Sequence, residues 1–403
     1  MHKKLFLLFI ISIAFFSTSP AFSDIHYVSS ERGSSENYPG TTEDPLKFIG
    51  EGLSAASPGD SVYVQAGTYE EWTHILRPVY LVGGWDADFT SIVGRSVIIS
   101  PDKTEYDDVP PIQISIGIDG KVAKSVDDEL LIQNFKLQCL GVPSGGGGIS
   151  GGHEITATID NCLIEGNTVE AHGGAIRLGC GGNSKTTFSS NIIRNNTSEI
   201  VCGGIYISDT KNGLSPTVHF INNMIYENND SGIYVISHEE TDEHGIFVNL
   251  LNNTISRQET GLYLNPYSSG RIEANLINNI LWGNTAYDIV PYMYTTYTQP
   301  ERSTVYAGHC IYETVKHTET SIQDQGGNFS EDPLLKADYT LSPNSPAIGK
   351  GLCALFDGTR VAPPTDYEDN PRPENCSLHC IEYASADNAC INGYYEGCAI
   401  SAD

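Results

Sequence analysis

Four side chains near the middle of the chain have types that can break glycosidic bonds: Arg177, Asp209, His238 and Glu239. Hydrolysis needs two carboxyl groups across a sugar, about 5–5.5 Å apart for retention and about 6.5–9.5 Å for inversion. Asp209 and Glu239 supply such a pair if their strands are neighbours. Elimination needs a base for the proton beside a sugar carboxylate and a cation for the enolate. Arg177, Lys211 and His238 are the basic groups at hand. Calcium could serve as the electrophile instead. The stretch "SHEETDEHG" (237–245) gathers Glu239, Glu240, Asp242 and Glu243, the oxygen donors that a hard cation takes. It lacks the regular ligand spacing of a calcium loop, so no metal site or cofactor is assigned.

Three tyrosines recur in the same setting: "GGIYIS" (203–208), "SGIYVI" (231–236) and "TGLYLN" (260–265). In an alternating strand the flanking aliphatics point inward, so Tyr206, Tyr234 and Tyr263 point outward. Aromatic faces stack on sugar rings, and a tyrosine adds a hydroxyl for polar contacts. The same residues also stabilise strand pairing with no ligand at all. They are the candidate binding residues for a polysaccharide.

The elements that must position these groups repeat. "TTFSSNIIRNNT" (186–197), "TVHFINNMIYENN" (217–229) and "FVNLLNNTISRQ" (247–258) each precede a Gly-led strand. The outward position of that strand falls at 177, 206, 234 and 263, steps of 29, 28 and 29 residues. A fixed period of this size signals a solenoid, and strands this short exclude helical repeats. The expected fold is all-β: a right-handed parallel β-helix, a single solenoid with coils about 4.8 Å apart. One outer face should then carry Arg177, the three tyrosines and Asp288 in a row. Asn161, Asn191, Asn223, Asn253 and Asn279 mark one set of corners; Asn167, Asn196, Asn229 and Asn284 mark another. Asn tolerates the left-handed backbone of tight corners, and stacked amides bond from coil to coil.

The first residues, "MHKKLFLLFIISIAFFSTSPAFS", read as a secretory leader cleaved after Ser23. No later segment is long and apolar enough to span a bilayer in the mature chain. The 50 acidic and 22 basic residues give a formal charge of −28. Nucleic acid and anionic membranes are poor partners for such a field. A polyuronate is repelled too, unless calcium or a local basic patch intervenes. Ten cysteines in an exported chain indicate disulfides, with five crowded at the end. "CSLHC" (376–380) lacks the second pair that a zinc site needs.

Both ends resemble known proteins. "IHYVSSERG" (25–33), a helix over about 45–56 and "SPGDSVYVQAGTY" (57–69) are similar to the opening of pectate-lyase-like β-helix proteins. In that helix Leu46, Ile49, Leu53 and Ala56 form one apolar side that plugs the solenoid's open end. "EDPLLKADYTLSPNSPAIGKG" (331–351) and "DYEDNPRP" (366–373) resemble the closing segment of choice-of-anchor Q domain proteins. The last element departs from that pattern at Cys390-Ile391-Asn392-Gly393. The polygalacturonase set is missing: "RIE" (271–273) lacks its lysine, and "HGG" (172–174) has no partner aspartates. The resemblance implies fold rather than activity, because β-helices host lyases, hydrolases, epimerases, adhesins and inert surface proteins.

The organisation expected is a leader (1–23), an N-terminal cap and first coils (24–130), central coils (131–330) and a disulfide-rich closing segment (331–403). The functional expectation is a monomeric protein, secreted, periplasmic or on the cell surface, that engages a polysaccharide or cell-surface glycan along the tyrosine face. The alternatives are a polysaccharide lyase or glycoside hydrolase, and a structural or adhesive surface protein.

Overall fold

The computed structural model describes residues 24–35, 40–100, 110–116, 129–141, 145–209, 214–239, 244–267, 270–291, 302–316, 322–354, 361–368, 370–372 and 377. The leader, Lys211, the acidic stretch 240–243 and the cysteines from 376 onward lie outside the described residues.

Among the described residues three long parallel sheets stack along one axis, one of eleven strands and two of eight, beside a two-stranded pair. The chain visits each once per coil: Thr217–Ile221 in the long sheet, Met224–Tyr226 in a short-strand sheet, Ser231–Ser237 in the tyrosine sheet. Gly245–Leu251 then begins the next coil. Alternate aliphatic residues of all three sheets fill the interior, with Phe188 stacked on Phe220 at 5.1 Å.

Two inner corners hold the coils in register. At the first, a residue in the left-handed region (Ser190, Asn222, Asn252 and Asn278, φ 52° to 59°) turns the chain inward. The next residue points its amide into the core. Asn223 Oδ1 accepts from the backbone N–H and Nδ2 of Asn191, both at 3.0 Å. Its own Nδ2 donates to Phe188 O and Asn253 Oδ1, both at 2.9 Å. Asn253 and Asn279 repeat the pattern. The second ladder runs Asn167, Asn196, Asn228, Gln258, Asn284.

The expected asparagine sets are each corrected by one position. Asn161 takes the left-handed turn (φ 47°), and Cys162 stands at the ladder position, its N–H donating to Asn191 Oδ1. Likewise Asn228 is the rung, while the Asn229 side chain binds the Ser198 backbone, Oδ1 accepting from its N–H and Nδ2 donating to its carbonyl. A left-handed residue precedes each rung, but it is Asn161 before Cys162 and Glu227 before Asn228, so an asparagine at a corner does not by itself mark the rung.

The disulfide expectation is corrected for the coils. Cys139, Cys162, Cys180, Cys202 and Cys310 are buried and stand outside any disulfide. Cys162 and Cys310 close the two ends of the first amide ladder, Cys310 Sγ accepting from the Asn279 N–H at 3.4 Å. Burial pushes the Cys162 and Cys180 thiols up to about 12 and that of Cys310 to about 11, so they serve as small neutral core residues. Cys353, in the closing segment, is disulfide-bonded.

The N-terminal helix is shorter than expected, Ile49–Ala55, because Leu46 forms a parallel bridge with Val28 and Phe48 is extended. It packs against Ile25–Val28, Ser61–Gln65 and Thr73–Ile75, and the Glu71 carboxylate accepts the N–H groups of Ile49 and Gly50 at 2.8 and 3.0 Å. At the other end the closing segment runs back along the left-handed corner. Asn278 exchanges two hydrogen bonds with Leu352, and Asn222 Nδ2 donates to Thr365 O at 3.1 Å. Tyr339 stacks on Tyr226 at 3.8 Å.

Asn223→Ala strands donors and acceptors on both neighbouring coils, and we expect it to cost about 2–4 kcal/mol in urea unfolding. Asn249→Ala, on the outer side of the long sheet, should stay within about 0.5 kcal/mol. Equal losses in the two variants would remove the ladder's special role.

Candidate functional site

Register, not sequence spacing alone, decides which side chains meet. Arg177 pairs with Tyr206, Tyr206 with Tyr234, Tyr234 with Tyr263, and Tyr263 with Val290. The last step is 27 residues, so the expected continuation at Asp288 is corrected: Val290 takes that place. Asp288 is 1% exposed and accepts from Asn284 Nδ2 at 2.7 Å and from the N–H groups of Glu313 and Thr314 at 2.9 and 3.0 Å. Its charge ties two coils together from within.

The tyrosine rings stack on one another. Tyr206 and Tyr234 lie 5.5 Å apart at 10°, Tyr234 and Tyr263 4.7 Å apart at 18°. His172 extends the stack, 4.8 Å from Tyr206 at 12°. With Cys202, Val201 and Ile236 alongside, they form a small apolar cluster outside the main core. The outcome is tight: Tyr206 is 7% and Tyr234 8% exposed, while Tyr263 is half-buried and Arg177 exposed. Coils about 4.8 Å apart leave no room for a sugar between the rings. What remains accessible is the column's edge with its hydroxyls, and its Arg177 end. Burial pushes the Tyr234 phenol up to about 12, against the opposing hydrogen bond from Asn265 Nδ2 at 2.7 Å. Burial also raises Tyr206 and lowers His172, with the Arg177 charge opposing the first shift and adding to the second. His172 had no strand pattern to reveal it. It sits in the corner before the Gly-led strand, and only the coil spacing brings its ring under Tyr206.

The other predicted site residues are not brought together with Arg177. Alternation along Ile205–Asp209 puts Tyr206 outward and Asp209 inward. Asp209 Oδ2 accepts from Ser237 Oγ at 2.5 Å, and Oδ1 accepts from the His238 N–H at 2.8 Å. Glu239 is buried at 4% exposure. His238 is half-buried and meets Tyr267 edge to face at 5.5 Å. Asp209 thus acts as a staple between coils. Its column is polar and internal: His153 pairs with Cys180, and Cys180 with Asp209. Thr186 Oγ1 links His153 Nε2 at 3.1 Å to Cys180 Sγ at 3.3 Å, and His153 Nδ1 meets Ile155 O at 3.1 Å. Burial holds His153 down at about 4. Among the described residues no group of three His, Cys, Asp or Glu side chains could hold a metal ion.

With this geometry the chain can be set beside known proteins. The fold and the outer column define a β-helix protein, and residues 133–299, under half of the chain, match the family described as periplasmic copper-binding protein (NosD). The crystal structure of pectate lyase Pel9A is similar, with a TM-score of 0.52 at 13% identity over 91% of this chain and 98% of that one. The complex structure of XylC with xylose gives 0.40 at 12% identity over 90% and 98%. No curated protein matches the sequence. The architecture is therefore a pectate-lyase-like right-handed parallel β-helix, which fixes fold and leaves activity open.

His153 gives a pH test. Its folded value of about 4 lies below the ordinary 6.5, so the unfolded chain binds more protons between those limits. Its contribution is complete above pH 6.5 and is lost as pH falls toward about 4, by roughly 3 kcal/mol at most. His153→Gln should flatten this part of the stability–pH curve measured by urea unfolding. An unchanged slope would show that the histidine is not buried neutral.

Proposed function

We propose that this chain is an exported β-helix protein that holds a glycan along the outer edge of its tyrosine column without cleaving it. The observation that carries the reading is the unbroken column Arg177–Tyr206–Tyr234–Tyr263, with rings fixed by mutual stacking and exposure concentrated at Arg177 and Tyr263. Stacking holds the hydroxyls in place before any ligand arrives, which lowers the ordering cost of binding. The raised Tyr234 phenol stays protonated at neutral pH and keeps its hydrogen for a sugar oxygen. Sugars meet hydroxyls, ring edges, the Asn265 amide and the Arg177 guanidinium, not ring faces.

The leader-like N-terminus and the periplasmic description of the matching family favour a secreted, periplasmic or surface location. The closing segment's likeness to choice-of-anchor Q domains agrees with export. Copper, in that family's description, does not fit the described residues, which offer no three-ligand cluster. A lyase or hydrolase draws little support, because Asp209 is engaged from coil to coil and lies on the face opposite Arg177. A surface rod is the second reading, favoured by the near-complete burial of Tyr206 and Tyr234 against each other.

Affinity electrophoresis against a polysaccharide panel separates the readings. Arg177→Ala and Tyr263→Phe should each weaken retention about three- to tenfold with the thermal transition nearly unchanged. Tyr234→Ala should destabilise the fold by about 3 kcal/mol. If no polysaccharide is retained, or if retention ignores Arg177 and Tyr263, the column is structural only.

A further inference from the structure

Asp24, the residue before the first strand, is held on both sides of its backbone. Its carbonyl oxygen accepts from the Ser61 N–H at 3.0 Å, and its own N–H donates to Asp60 Oδ1 at 3.2 Å. Strand register places the two together: Ile25 pairs with Ser61, so Asp24 stands over Asp60. Asp60 is 2% exposed. Its Oδ2 accepts from the Ser57 N–H at 2.7 Å and lies 3.6 Å from Nε2 of the buried His26. Its carbonyl accepts from the Tyr80 N–H at 2.9 Å, so the same residue also ties in the next coil.

A buried carboxylate is costly unless its charge is compensated. An amide N–H offers it a partial charge. An ammonium at the same place offers a whole one, and such charge-assisted bonds are about twice as strong as neutral ones. The sequence can supply that ammonium. Ala21 and Ser23, small residues three and one before Asp24, close the leader-like stretch. Hydrolysis of the Ser23–Asp24 bond adds one water and leaves a carboxylate on Ser23 and an ammonium on Asp24. The Asp24 nitrogen need not move, because the bond from Ser61 already holds its residue in place. Cleavage after Ala21 would instead carry the charge two residues away, up to about 7 Å.

We propose that a leader peptidase cuts between Ser23 and Asp24 and that the new α-ammonium docks on the buried Asp60 carboxylate, so that processing adds a tie to the N-terminal cap. This rests on the reading of residues 1–23 as a leader and is independent of the glycan reading. The unprocessed chain has only the amide bond at this point, and its first coil is held less tightly until export is complete. Among the described residues, the titratable groups around the new terminus are Asp60, His26 and the Asp24 carboxylate itself. On the elements packed against them, the Tyr80 hydroxyl donates to Glu129 at 3.5 Å and Arg77 donates to Ala56 O at 2.6 Å. Glu51 accepts from the Phe48 N–H at 3.1 Å, at the far end of the cap helix.

Mass spectrometry of the chain recovered after export from a bacterial host should give Asp24 as its first residue. A chain that still carries residues 1–23 overturns the leader reading together with the proposal; any other first residue overturns the proposal alone. Urea unfolding then tests the docking on two chains that both run to Asp403, one starting at Asp24 and one keeping Ser23. Asp60 raises the docked ammonium above its ordinary value of about 8. The contribution to stability is therefore complete below about pH 8 and is lost as pH rises through the higher folded value. Between pH 7 and pH 10 the unfolding constant should rise about tenfold more for the Asp24 chain than for the Ser23 chain, whose ammonium sits one residue further out. The buried thiols of Cys162 and Cys180 are the same in both chains and cancel in the comparison. Asp60→Asn should abolish the difference. Equal pH dependence of the two starts overturns the proposal, as does a difference that survives in folded Asp60→Asn. If that variant does not fold, the two starts on the native background decide.

Discussion

The stacking of coils at one fixed distance governs this molecule, and the buried amide ladders are what fix it. An asparagine side chain in the core is costly unless both its ends are satisfied. Here each finds its partners on the adjacent coils: Asn223 receives from Asn191 and gives to Asn253. A coil that slipped by one residue would orphan two amides and turn its aliphatic residues outward. Register is thus held by polar satisfaction and apolar burial acting together. Each coil contacts only its neighbours, so the same device must be repeated along the whole length.

The surfaces inherit that spacing. Side chains of one column lie as close as the strands that bear them, so flat rings in a column become one another's packing partners. This is why Tyr206 and Tyr234, although outside the main core, are nearly as hidden as residues within it. A solenoid surface thus joins like flat groups into a favourable stack.

Acidic residues divide by alternation along the strand. Asp209 and Asp288 are drawn inside, where backbone N–H groups and hydroxyls compensate their charge. They hold loops to coils rather than face a substrate. The closing segment uses the outer amides of the left-handed corner in the same way, with Asn222 and Asn278 binding its backbone. One polar residue type therefore serves inside as a rung and outside as a docking point for the chain's own end.

Much of the fold was legible in the sequence. The period of 28 to 29 residues, the Gly-led strands and the alternating aliphatics determine a parallel solenoid, because burial of one face at period two leaves little choice. The same alternation determines that Tyr206, Tyr234 and Tyr263 point outward. Tertiary structure alone decided the rest. It decided which corner residue is the rung, because Asn161 takes the left-handed turn before Cys162 and Glu227 takes it before Asn228. It replaced Asp288 by Val290, because the step from Tyr263 is 27 residues where Asp288 would need 25. It kept the central cysteines out of disulfides, because coil packing buries each thiol in its own niche. And it decided that the tyrosine faces are occupied by their neighbours, since a distance between coils is a property of the stack and is written in no single repeat.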